Sequence, residues 1–257
     1  MEKIDIFDFR DMFSHVRSAA FVGNSSSITS WNNGRTIDSH DMVVRFNRAY
    51  TKGFEENIGS KTDVLFSNDI NCIERSPLPS EALQPKCIVV FVQPKRDLDL
   101  GKLKEWIGDI PYVISLAPDI FGITSGIRTR WFTTGTYALY TILRLFPLEK
   151  LFLTGFTMFG EVPGGNLDYF DNNKRVGIFH DLDQEAIAFA DIVHQFSGEL
   201  QMTPEVESLV HKSTLPPNKN NSLRNRFYQA LSLKLLKNGF KYRRKAEQDG
   251  WLYHNQK

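Results

Sequence analysis

Short apolar runs separated by longer amphipathic stretches recur along most of the chain. Ala19–Val22, Met42–Phe46, Val64–Phe66, Cys87–Val92, Tyr112–Ile114 and Leu151–Leu153 are rich in Val, Ile, Leu and Phe. Apolar runs of that length read as strands buried on both faces. Helical periodicity fills the stretches 99–107, 134–146 and 184–196. Strands spaced by helix-length connections predict an α/β fold, a Rossmann-like and mostly parallel sheet flanked by helices. Sheets of this kind hold ligands at the carboxyl ends of their strands. Chemistry is therefore expected at Gly23-Asn24-Ser25, at Asn47-Arg48 and at Gly155-Phe156.

The pattern changes after the turn-rich stretch Ser213–Ser222. Leu223, Phe227, Leu231 and Leu235 recur at every fourth position, with Gly239 where a helix would end. The sequence thus divides into a domain over 1–212 and a basic amphipathic helical tail over 213–257. Charge divides there too, with ten Lys/Arg against two acids after residue 217 and an acidic excess before it. Lys241, Arg243, Arg244 and Lys245 lie close to Trp251 and Tyr253. A basic amphipathic helix with such aromatics suits an anionic membrane surface, which 223–253 would meet. The alternative is a docking helix whose charged face is only solvated. Nucleic acid is the least favoured partner, because no recognition motif accompanies the basic residues.

Composition narrows the class. The 257 residues carry 31 Lys/Arg and 30 Asp/Glu, which excludes a uniformly basic nucleic-acid binder. Apolar residues make up 41%, enough for a soluble globular core, and 20 Phe promise an aromatic one. The two cysteines, Cys72 and Cys87, lack a neighbouring His pair for zinc and read as buried apolar residues. The first thirteen residues carry acids where a signal peptide would be basic. No apolar run reaches the roughly 18 residues of a membrane span. The expected location is cytoplasmic, as a peripheral protein on the inner face of the membrane if the tail binds there.

Gly23-Asn24-Ser25 after a strand permits close backbone approach to a ligand, and following helix amides can meet a phosphate. Neither a G-x-G-x-x-G fingerprint nor a P-loop is present. The longer run is more specific. Val22-Gly-Asn-Ser25 is followed by Ile37-Asp-Ser-His-Asp-Met-Val-Val-Arg-Phe-Asn-Arg-Ala49, then Gly53-Phe-Glu55, then Ile58-Gly-Ser-Lys-Thr-Asp63. This run resembles the long motif of the sialyltransferases, glycosyltransferase family 29. Thr133-Thr134-Gly135 with Leu151–Phe156 resembles the family's short motif, and Asp168–Asp171 resembles its motif III. His180 with Glu185 five residues on resembles its very short motif. The resemblance spans roughly 19–195.

It implies a variant of the GT-A-like sialyltransferase fold and an inverting transfer from a CMP-linked sugar. His180 would be the catalytic base, a role suited to a His of near-neutral pKa. Glu185 would complete the catalytic pair by orienting the site or receiving the acceptor. Gly23, Asn24, Ser25, Asn47, Thr133, Thr134, Gly135 and Tyr169 would bind the donor, with Tyr169 against the leaving phosphate. No cofactor and no metal are implied, so Asp97-Leu-Asp99 and Asp181-Leu-Asp183 read as incidental. His40 and Asp41 read as turn and packing residues.

The sequence also departs from the family. Ala19 and Phe146 stand where its disulfide partners would be, Phe132 replaces a Pro, and Asp168 replaces the His of motif III. The missing disulfide and the missing membrane anchor fit a reducing cytoplasm. The carboxylate of Asp168 would repel a donor phosphate unless protonated or turned away. The leading expectation is a microbial sialyltransferase acting on a glycan or glycolipid acceptor in surface polysaccharide synthesis, such as a capsule or lipopolysaccharide. A CMP-Kdo-dependent Kdo transferase is the alternative, and a catalytically silent nucleotide-binding scaffold is the third. Acceptor choice is expected from the stretches 69–86 and 157–179.

Overall fold

The computed structural model describes residues 3–68, 83–92, 99–116, 132–158, 168–169 and 182–213. His180, Cys72, Asp97, Asp181, most of both acceptor stretches and nearly all of the tail lie outside them. The described residues belong to one compact unit, formed by 1–118 and 128–214; the second unit, 119–127 and 215–257, lies outside the description.

Seven strands form one sheet: β1 (Ser18–Val22), β2 (Met42–Phe46), β3 (Val64–Asn68), β4 (Cys87–Val92), β5 (Tyr112–Leu116), β6 (Lys150–Thr154) and β7 (Glu199–Met202). Every neighbouring pair is parallel, in the order β5-β4-β3-β2-β1-β6-β7. The described helices are α1 (Ile6–Met12), α2 (Gly34–Asp38), α3 (Glu55–Ile58), α4 (Leu100–Ile107), α5 (Thr134–Leu145), α6 (Leu182–His194) and α7 (Pro204–Lys212). All six expected strands are present. β7 and helices α1, α2, α3 and α7 are additional.

All five residues of β2 are buried, as a central strand covered on both faces must be. Alternation sorts its neighbours. One face is largely aliphatic: Ala20, Val22, Val43 and Phe152 pack with Ile37 of α2 and Ile58 of α3. Farther along, Leu65, Ile88 and Val90 pack with Leu103, Trp106 and Ile107 of α4. The other face is aromatic. Phe21 stacks on Phe46 (6.3 Å), Phe66 meets Phe91 (5.4 Å), and Tyr137 of α5 meets Phe91 (5.8 Å). Aromatic pairs at these separations add to simple area burial.

Topology places the site. From β1 the chain steps outward through β2 to β5, then returns to lay β6 on the other side of β1. The order reverses between β1 and β6, and a crevice opens at the carboxyl ends of such a pair.

The amino ends do structural work. Asp41 accepts hydrogen bonds from the Arg17 and Ser18 amides (3.0 and 2.9 Å). The Arg17 bond is the main reason its pKa is lowered. His40 bonds the Thr36 carbonyl (2.8 Å) and lies by the Phe152 ring. Both residues are remote from the crevice, in keeping with turn and packing roles.

Candidate active site

Gly23 and Gly155 end β1 and β6, and their backbones touch. A Cβ on Gly23 would fall 2.1 Å from the Gly155 oxygen. Gly155 adopts φ +73°, the left-handed region open to glycine. The contact is laced by Gly23 N–H to the Thr154 oxygen (2.8 Å) and Ser25 N–H to the Gly155 oxygen (3.2 Å). The cavity at this point is lined by Gly23–Ser25, Phe46 and Asn47, Thr133–Gly135, Gly155–Met158 and Asp168. Seven of the eight donor-binding residues expected from the sequence therefore share one wall system.

The two asparagines present opposite groups. Asn24 spends its amide NH2 on the Phe46 carbonyl (3.0 Å), which leaves Oδ1 buried without a partner. Asn47 adopts φ 53°, which Asn tolerates better than most residues. Its Oδ1 accepts from the Asn68 amide (3.2 Å) and from Thr134 Oγ1 (3.3 Å). Asn47 thus ties the ends of β2 and β3 to the start of α5, and its NH2 is the group left for a ligand. Ser25 Oγ accepts from the Ser27 amide and from Thr157 Oγ1.

Thr133 is the N-cap of α5, but its side chain makes no capping bond. Glu185, fully buried on α6, supplies the cap instead. Its Oε1 accepts the Thr133 N–H and the Thr136 hydroxyl, both at 2.7 Å. Glu185 is not among the cavity-lining residues; its bonds hold the start of α5. The first-turn amides at Thr134 and Gly135 have no intrahelical partner, and both residues line the cavity. Phe156 packs over Gly135 so closely that a Cβ there would stand 2.8 Å from the ring.

Tyr169 is the one expected donor-binding residue that is not among the cavity-lining residues. Its hydroxyl donates to the Tyr50 carbonyl (2.5 Å) and accepts from the Tyr50 amide (3.0 Å). Burial pushes its pKa up to about 12, so it stays a phenol. Its ring meets Phe54 edge-on at 5.0 Å, and its amide donates to the Asn24 carbonyl (3.2 Å). Tyr169 braces the β2 loop and Asn24 outside the cavity lining. Asp168 is buried, bridges to Ser25 and lines the cavity.

Two charged residues outside the expected set of site residues support the loops. Arg45 is fully buried. Its guanidinium donates to the carbonyls of Ile58, Gly59 and Lys61 and to the Thr62 hydroxyl. Burial lowers its pKa to about 10, still charged at neutral pH. Glu205 of α7 bonds both Gly155 and the turn after β1. Asp99 caps α4, and Asp183 lies in the first turn of α6. Among the described residues no three His, Cys, Asp or Glu are grouped as metal ligands would be, and no helix is long and apolar enough to cross a membrane.

Residues 6–107 match the sequence model of glycosyltransferase family 29 (sialyltransferase). That match covers 102 of the 257 residues. The match spans α1 to α4, including both asparagines. A sialyltransferase-like protein 2 of Oryza sativa subsp. indica is 23% identical over 240 residues, which cover 78% of this chain and 58% of that protein. Shorter segments match more closely. An α-2,3-sialyltransferase 1 of Gallus gallus is 52% identical over 46 residues, covering 18% of this chain and 14% of that enzyme. A β-1,6-galactosyltransferase of Arabidopsis thaliana is 45% identical over 51 residues, covering 20% and 13%. The chain spans less than two thirds of the length of each of these relatives. A crystal structure of a mammalian sialyltransferase aligns with a TM-score of 0.46 at 23% identity, over 73% of this chain and 69% of that one.

Proposed function

We propose that the chain is an inverting, metal-independent glycosyltransferase that moves sialic acid from a CMP-linked donor to a hydroxyl of a glycan or glycolipid acceptor. The observation that carries the reading is the β1/β6 crevice. There a buried, unpartnered acceptor on Asn24, the free amide of Asn47 and the first-turn amides of α5 converge. An acceptor, a donor and a helix N-terminus suit the base, ribose and single phosphate of a nucleoside monophosphate. The match of residues 6–107 to the family 29 model supports the reaction class.

In the reaction the acceptor oxygen bonds to the anomeric carbon as the bond from that carbon to the CMP phosphate oxygen breaks. CMP leaves with the electron pair, and the acceptor proton passes to a base, His180 by family resemblance. The configuration inverts in one step through an oxocarbenium-like transition state. The α5 amides would meet the charge that builds on the leaving phosphate. The proposed setting is surface polysaccharide or glycolipid synthesis at the inner face of a membrane, which the basic segment 223–253 would approach.

Asp168 in the cavity wall favours a second reading, a CMP-Kdo donor whose phosphate is held differently. The partial match to the Arabidopsis β-1,6-galactosyltransferase adds a galactosyl nucleotide as a donor to test. The experiment is release of free nucleotide from CMP-sialic acid, CMP-Kdo and UDP-galactose in EDTA, with CMP binding by calorimetry. Release of CMP from CMP-sialic acid, lost in His180→Ala, is expected. Asn24→Ala should weaken CMP binding about tenfold, the value of one hydrogen bond to a buried acceptor. Failure of a folded protein to bind CMP would overturn the reading.

A further inference from the structure

Glu205 is the second residue of α7, and a first-turn acid there would ordinarily face water and offset the helix dipole. Its carboxylate instead reaches away from its own helix. Oε2 accepts the Trp31 indole N–H (3.0 Å). Oε1 accepts the hydroxyls of Thr203 (2.6 Å) and Ser27 (3.3 Å) and, at the longer distance of 3.4 Å, the Gly155 amide. One carboxylate thus joins the 3₁₀ turn Ser26–Ser30, which follows Gly23–Ser25, to the start of the turn that follows β6. Its partners lie up to 178 residues earlier in the chain.

These are the two turns that meet at the Gly23–Gly155 contact. Four donors converge on this one carboxylate, and hydrogen bonds to a carboxylate hold more firmly than those between neutral groups. The turns carry the cavity's Asn24 and Ser25 on one side and Phe156 and Thr157 on the other. We propose that Glu205 is a positioning residue for the donor cavity, setting the β1 and β6 turns against each other without touching the ligand. The consequence for donor binding rests on the nucleotide-sugar reading above; the positioning role does not.

The test measures CMP affinity, and hydrogen exchange of peptides covering 23–31 and 155–158, in Glu205→Ala, Glu205→Gln and Val206→Ala. Val206 is fully buried on the same helix, so its truncation should loosen α7 while leaving the Glu205 carboxylate in place. Glu205→Ala should weaken CMP binding about tenfold or more and speed exchange in both turns, losing several charge-assisted bonds at once. Glu205→Gln keeps one acceptor oxygen and should recover part of both effects. Val206→Ala should lower the melting temperature while leaving CMP affinity and exchange in the two turns near wild type.

Exchange in both turns unchanged by Glu205→Ala would overturn the proposal. Equal effects of Glu205→Ala and Val206→Ala would also overturn it, since loss of α7 packing would then explain everything. If wild type fails to bind CMP but Glu205→Ala still loosens the turns, the positioning role stands and the donor reading falls.

Discussion

The oxygen of Gly155 occupies the space that a side chain on Gly23 would need, 2.1 Å from where its Cβ would stand. Neither group can retreat, because Gly23 N–H and Ser25 N–H both bond the β6 end. Gly23→Ala must therefore part β1 from β6 at their carboxyl ends. The expected cost is about 3 kcal/mol, the upper part of the range for overpacked sites. Urea denaturation checks the stability loss, and calorimetry with CMP should show binding reduced beyond detection in the folded fraction.

Removing the Glu185 carboxylate leaves the Thr133 amide and the Thr136 hydroxyl buried without their shared acceptor. Glu185→Ala should destabilise the protein by about 3 kcal/mol, because unmet donors add to the lost charge-assisted bonds. Glu185→Gln retains an acceptor oxygen and should cost less than half as much. Thermal and urea unfolding of the two variants measure this. A Gln variant as unstable as the Ala variant would count against the capping role.

Burial pushes the Cys87 thiol from its ordinary value of 9.0 up to about 12. Folded protein therefore holds the proton at a pH where the unfolded chain has released it. Stability contributed in this way is full below pH 9 and falls as pH rises between 9 and about 12. Urea unfolding at pH 8 and pH 10.5 should show a decline in wild type that is smaller in Cys87→Ala. A thiol reagent at pH 8 should modify Cys87 only after unfolding, as the reactive species is the thiolate.

Most of the sheet was legible because buried parallel strands are near-continuous apolar runs. β7 was not: Glu199-Leu-Gln-Met202 alternates exposed and half-buried positions and has no β-branched residue. It is a strand because β6 offers it a free edge, which no local pattern encodes. The cavity wall was legible at the turns after β1 and β2 and at the start of α5, because glycine and asparagine at strand ends state a backbone requirement. The supports behind the wall were not. Tyr169 reads as a ligand contact, yet its hydroxyl is taken up by the backbone of Tyr50, 119 residues earlier. Glu205 gives no signal, since a first-turn glutamate is ordinary and its partners are identified only once the sheet has brought them together.

The pairing of Ser18–Val22 with Lys150–Thr154 also has a kinetic meaning. The chain must close a loop of about 130 residues before this central pair can form. Contacts of such long range slow folding. During synthesis β1 to β5 emerge and can assemble first, with one edge of β1 still bare. Until β6 leaves the ribosome that edge is open to pairing with another chain. The half-made protein therefore carries its greatest risk of aggregation at the place where the finished one has its cavity.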